Sequence, residues 1–143
     1  MFIFTACQAY SVSFICAIVS DGWLVVQAAF MTAGLVFGLS IYAFTTKTDY
    51  TAYGGLLWAC GTVLVLFSLF SVFFGVTAKL IFCSIAILIF SLYLIFDTQT
   101  IMGGEGKYAE IEKDDYILGA IILYLDIINI FLYLVQILST LKD

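Results

Sequence analysis

The stretch Leu123-Tyr124-Leu125-Asp126-Ile127-Ile128-Asn129-Ile130-Phe131 lies inside a long apolar run, 116–138, and puts an acid at its centre. A lone carboxylate in hydrocarbon costs several kcal/mol, roughly 3 on insertion scales and more in simulations. Such a residue faces a protein interior or a wet cavity, and it has a partner. At helical spacing, Asp126, Asn129, Tyr133 and Gln136 fall at i, i+3, i+7 and i+10 on one face. The remaining faces are Ile, Leu and Phe. The spacing predicts a lipid-facing transmembrane helix with one polar stripe.

The rest of the chain has the same character. Of 143 residues, 64% are hydrophobic and 10% are charged, and the mean hydropathy is +1.18. A soluble domain carries about 25% charged residues. This composition cannot cover a surface that faces water. The apolar runs are continuous and do not alternate, which indicates helices and not barrel strands. The fold class is therefore all-α, a polytopic membrane helix bundle forming one membrane domain, 1–143.

A span needs about 20 mostly apolar residues. Five runs qualify: 1–19, 23–44, 53–73, 80–101 and 116–138, with one long hydrophilic loop, 102–115. The first run carries Thr5, Gln8, Ser11 and Ser13, so it is expected to face the interior. The turn Ser20-Asp21-Gly22 makes it an antiparallel hairpin with the second. In the second run Gly34 and Gly38 form a G-x-x-x-G, read as close helix packing. The third, flanked by Gly54 and Gly55, is expected to face lipid. The opening Met1-Phe2-Ile3-Phe4 has no basic n-region and reads as the interior of a larger membrane protein, not a signal peptide. Lys47, Lys107 and Lys113 fall on the side where the chain starts, and Lys79 and Lys142 on the other. The positive-inside rule then places the N-terminus in the cytosol or matrix.

Several classes are excluded. Pro, His and Arg are absent, so there is no His-based metal site or general base and no arginine clamp. The net charge is −5, concentrated in the hydrophilic loop, and no basic patch suggests nucleic acid. Cys7, Cys16, Cys60 and Cys83 form no C-x-x-C and read as small buried hydrophobes. No nucleophile–base pair or cofactor fingerprint suggests an enzyme, and no cofactor is expected.

Asp97 and Asp126 are the only acids within apolar runs. Their helices are consecutive and antiparallel, hence neighbours. Asp97 lies about four residues before its span ends and Asp126 about ten after its own begins, a depth difference of roughly 9 Å at 1.5 Å per residue. A tilt, or a later helix start, would close it. Two carboxylates a few ångströms apart in a low dielectric cannot both ionise cheaply, so they share a proton. With that proton the pair pins two helices. Without it the pair repels, and its oxygens become hard ligands suited to Ca²⁺. Asn129, Tyr133, Tyr93 and Gln99 are the expected supporting residues.

At Phe96-Asp97-Thr98-Gln99, Ile101-Met102-Gly103-Gly104 and Leu123-Tyr124-Leu125-Asp126-Ile127, the chain resembles the Bax inhibitor family, most closely its Lifeguard branch. Tyr42-Ala43-Phe44-Thr45-Thr46-Lys47-Thr48-Asp49-Tyr50-Thr51 and Asp114-Asp115-Tyr116-Ile117 are similar to that branch as well. The resemblance implies a pH-responsive Ca²⁺ leak, lowered calcium stores and suppression of cell death, with residence in the endoplasmic reticulum or Golgi. The family's paired aspartates fall on Asp97 and Asp126, as pH sensor and gate of the cation pathway. The resemblance implies about seven spans, and this chain is expected to correspond to the third onward, without the helix whose arginine engages the pair, either as a piece of a longer protein or as a trimmed homologue. The alternative reading is therefore a non-conducting accessory or scaffold subunit of a larger membrane complex, with the mitochondrial inner membrane as its site. Expected partners are the lipid bilayer, Ca²⁺ and other membrane proteins.

Overall fold

The computed structural model describes residues 2–19, 21–48, 50–101 and 116–142, without the side chains of residues 51 and 116. The hydrophilic loop 102–115 lies outside the described residues. Five helices run in order: α1 (Phe2–Ile18), α2 (Gly22–Thr45), α3 (Gly54–Phe70), α4 (Val76–Ile101) and α5 (Tyr116–Lys142). Among the described residues there is no strand. Four segments, Gly22–Thr45, Gly54–Phe73, Val76–Ile101 and Ile117–Lys142, are long and apolar enough to cross a membrane, and α1 is a shorter apolar helix. The chain is an integral membrane protein.

In hydrocarbon every backbone group must be satisfied inside its own segment, which makes helix the default for these runs. With no proline present, nothing removes a donor mid-helix. Small polar side chains bond back to their own helix. Thr32 donates to the Ala28 carbonyl at 2.7 Å, Ser91 to Ile87 at 2.7 Å and Thr98 to Leu94 at 2.7 Å. Asp21 caps α2 by accepting the Trp23 N–H at 3.1 Å. The same carboxylate pairs with Lys142 at the far end of α5, tying the start of one helix to the end of another.

The core is three helices, not five. Leu24 and Ala28 of α2, Leu94 of α4, and Ile130, Leu134 and Val135 of α5 form one buried cluster. The largest interface is α4 on α5, and α2 covers both. Three expectations are corrected here. α5 is not a lipid-facing helix with one wet stripe. It packs on both α2 and α4, with large exposed hydrophobic side chains only near its ends at Ile117, Leu118 and Leu141. α1 does not face the interior, for none of its residues is buried. Its polarity is partly absorbed within the helix, where Ser11 bonds to the Cys7 carbonyl at 3.0 Å. Its described contacts include an edge-on ring pair, Phe4 with Tyr124, at 6.3 Å. The G-x-x-x-G packs nothing among the described residues, because a Cβ at Gly34 or Gly38 would meet no atom within 4 Å. Small residues permit close approach, but a helix must lie on that face, and among the described residues none does.

The cysteine expectation also divides. Cys83 is buried, Cys16 and Cys60 are half-buried, and Cys7 is exposed. α3 packs mainly on α4, through buried Leu57 and Leu64. At Gly61 it lacks a Cβ where the Tyr93 hydroxyl of α4 comes through to bond the Leu57 carbonyl. An alanine there would collide with that hydroxyl.

Candidate functional site

The site lies toward the end of the bundle where α4 stops and α5 starts. Ile101 of α4 meets Gly119 of α5, close enough that an added Cβ would lie 3.3 Å from it. α5 therefore overhangs α4 by about three residues, or roughly 4.5 Å. From that level Asp97 is four residues down α4 and Asp126 seven down α5, a remaining offset of about 4.5 Å. Side-chain reach covers this. The Asp97 and Asp126 carboxyls stand within hydrogen-bonding reach of each other across the α4–α5 interface.

Asp126 is buried, at 6% exposure, and Asp97 is half-buried. Asp126 Oδ2 is shut away from solvent and has no hydrogen-bond partner among the described residues. A buried carboxyl oxygen without a donor is costly. Any hydrogen bond between two carboxyls needs a proton on one of them. Among the described residues no third Cys, His or acidic side chain joins them into a metal cluster. Ca²⁺ takes six to eight oxygens.

The supporting residues have separate jobs. Tyr93, one turn before Asp97, lies within electrostatic range of both acids and anchors α3 through Leu57. Asn129 turns back on its own helix, donating to the Leu125 carbonyl at 2.8 Å. Tyr133 packs between Phe82 and Phe90 of α4. Gln136 is exposed, and its Oε1 accepts from Cys83 Sγ at 3.2 Å.

Gln99 is buried at 8% exposure, two residues past Asp97. Its amide reads the backbone of the α2–α3 connection, donating to the Thr48 carbonyl at 3.0 Å and accepting the Tyr50 N–H at 2.8 Å. The connection is thereby fastened over the end of α4. Sequence reading missed the receptors of these side chains. A glycine in mid-helix at Gly61 was the available signal for one of them, and nothing local marked Thr48 or Tyr50.

These observations define a class, a polytopic helical membrane protein with an acid pair closed between two of its spanning helices. The chain belongs to the Bax inhibitor family, whose model, described as inhibitor of apoptosis-promoting Bax1, matches residues 1–143. It is 37% identical to Protein LIFEGUARD 1 of Arabidopsis thaliana over 142 residues, 96% of this chain and 57% of that protein. It is 34% identical to mouse Protein lifeguard 4, over 97% of this chain and 56% of the relative. The Golgi anti-apoptotic protein of vaccinia virus (strain Lister) is 32% identical over 120 residues, 83% of this chain and 48% of the viral protein. The chain spans about half the length of the curated relatives it matches.

Proposed function

We propose that this chain forms the acid-pair part of a pH-sensitive Ca²⁺ leak pathway in an intracellular membrane, acting in calcium homeostasis and against cell death. The observation that carries the reading is the Asp97–Asp126 pair, with Asp126 Oδ2 buried and unpartnered. Intramembrane acids held in this way mark ion pathways and proton relays. With a proton between them, the carboxyls pin α4 to α5. When it leaves, two like charges repel in a low dielectric, and the freed oxygens can exchange with the hydration shell of a passing divalent cation. The leak is thus slow at low pH and faster as pH rises. The anti-apoptotic viral relative, named for the Golgi, supports the Golgi as the membrane.

The test is Ca²⁺ entry into proteoliposomes containing a calcium dye, followed across pH for the chain and for Asp97→Asn and Asp126→Asn. Either substitution removes the shared proton as the switch, so the pH response should flatten. Flux and pH response unchanged in both variants would remove the reading.

A further inference from the structure

α3 and α4 are pinned together over only part of their length. Gly54 lies against the Phe96 ring, and the Tyr93 hydroxyl crosses beside Gly61 to bond the Leu57 carbonyl. Both contacts fall on the later half of α4. Toward the turn at 71–75 the two helices leave a groove of about 440 Å³ between them. Its walls are hydrocarbon: Val63 and Phe67 of α3, Ala78, Ile85 and Ile89 of α4, and Phe74 from the turn. Val63, Phe67 and Ile85 are half-exposed, so no side chain among the described residues fills it.

The two ends of the groove differ. Ile89 lies eleven positions after Ala78, about 16.5 Å along the helix. That is half of a hydrocarbon core roughly 30 Å thick. The deep end stops near the middle of α4, where Tyr93, one turn past Ile89, crosses to α3. The open end is at the α3–α4 turn, and there Lys79 follows Ala78 in the first turn of α4. Lys79 is half-buried and has no ion-pair partner among the described residues. Lys142, at the same end of the bundle, is already paired with Asp21.

We propose that this groove binds one anionic phospholipid, with an acyl chain lying along residues 78–89 and the headgroup phosphate on the Lys79 ammonium. In a membrane an apolar groove gains nothing from being apolar, because lipid tails surround every exposed face. Its depth and its charge are what select an occupant. A second spanning helix needs about 30 Å of seam, and the groove offers half of that. An acyl chain occupies one leaflet, which is the depth available. A lysine at the mouth stands at headgroup level, where it attracts anionic lipid. The groove orders the tail, and Lys79 chooses the headgroup. The proposal is independent of the leak reading.

The experiment mixes the chain in detergent micelles with phosphatidylglycerol or phosphatidylcholine of identical tails and counts the lipid retained by native mass spectrometry. One lysine at a membrane surface is worth about fivefold in affinity, so the parent should prefer phosphatidylglycerol by about that factor. Lys79→Gln should bring the ratio of the two lipids within about twofold. Lys47→Gln, at the opposite end of the bundle beside the Gln99–Thr48 contact, should keep the parent's ratio. A second readout leaves the chain unaltered. Phosphatidylglycerol carrying a diazirine midway along one tail is photolysed in nanodiscs, and its adducts should concentrate in residues 63–67 and 78–89.

Equal retention of the two lipids by the parent, or a preference that survives Lys79→Gln, overturns the proposal. Adducts spread evenly over α1 and the exposed face of α2 overturn it as well, and make the groove ordinary lipid surround. A dimer retained without lipid in the same spectra assigns the groove to a second copy instead. Tryptophan emission and a monodisperse elution profile establish that each variant is folded.

Discussion

Replacing Gln99 with leucine probes how the α2–α3 connection is held over the site. Leucine has nearly the same volume, so packing at this buried position is kept and only the amide is lost. Two hydrogen bonds go with it, to the Thr48 carbonyl at 3.0 Å and from the Tyr50 N–H at 2.8 Å. They are not equivalent. Thr48 is exposed, so its carbonyl can turn to water and forfeits only the net bond, about 1 kcal/mol. Tyr50 is half-buried, and an orphaned N–H there costs about 1–3 kcal/mol. The connection should weaken by about 2–4 kcal/mol in all, and since 1.4 kcal/mol is tenfold, the lower bound corresponds to roughly a 30-fold rise in local opening. Hydrogen–deuterium exchange of the chain in nanodiscs reads this over residues 46–53. Gln99→Glu is the informative companion. It retains an acceptor for the Tyr50 N–H but, when ionised, cannot donate to Thr48, so protection at Tyr50 should survive better than in the leucine variant. Exchange over 46–53 that stays within about threefold of the parent in both variants would refute the idea that this amide fastens the connection.

Two further outcomes concern the scaffold. Gly61→Ala should destabilise by about 1–3 kcal/mol in detergent–denaturant unfolding, and Tyr93→Phe in the same chain should recover part of that loss by withdrawing the hydroxyl that the new methyl strikes. Asp21→Ala should cost about 1–2 kcal/mol, whereas Asp21→Asn, which can still cap the Trp23 N–H, should cost less than about 1 kcal/mol because the Lys142 end of the ion pair is well exposed and screened by water.

Particular residues show how far a linear reading reaches. Asp97 and Asp126 stand out because hydrocarbon tolerates an acid only for a reason, and that reason holds before any coordinates are known. The apparent depth mismatch between them had no solution in one dimension. Contact between Ile101 and Gly119, seen only in three dimensions, takes up half of it. Gln99 was legible as a polar residue beside Asp97, but its receptors are backbone groups roughly fifty positions upstream, and backbone groups carry no sequence signature. Ser11 drew α1 toward the interior on paper, yet its hydroxyl is satisfied by its own helix.

The sequence by itself determined the membrane class, the number and order of the helices, and the two acids that need explaining. It did so because charge is costly in hydrocarbon-spanning helices on energetic grounds that act residue by residue. Only the tertiary structure decided that α2, α4 and α5 share the core while α1 stays exposed, that the G-x-x-x-G face meets no neighbour among the described residues, and that Tyr133 packs on Phe82 and Phe90 of α4. The physical reason is that a lipid tail is as apolar as leucine. An apolar face is equally content against lipid or against another helix, so hydrophobicity marks what enters the membrane and leaves open which neighbour it meets there.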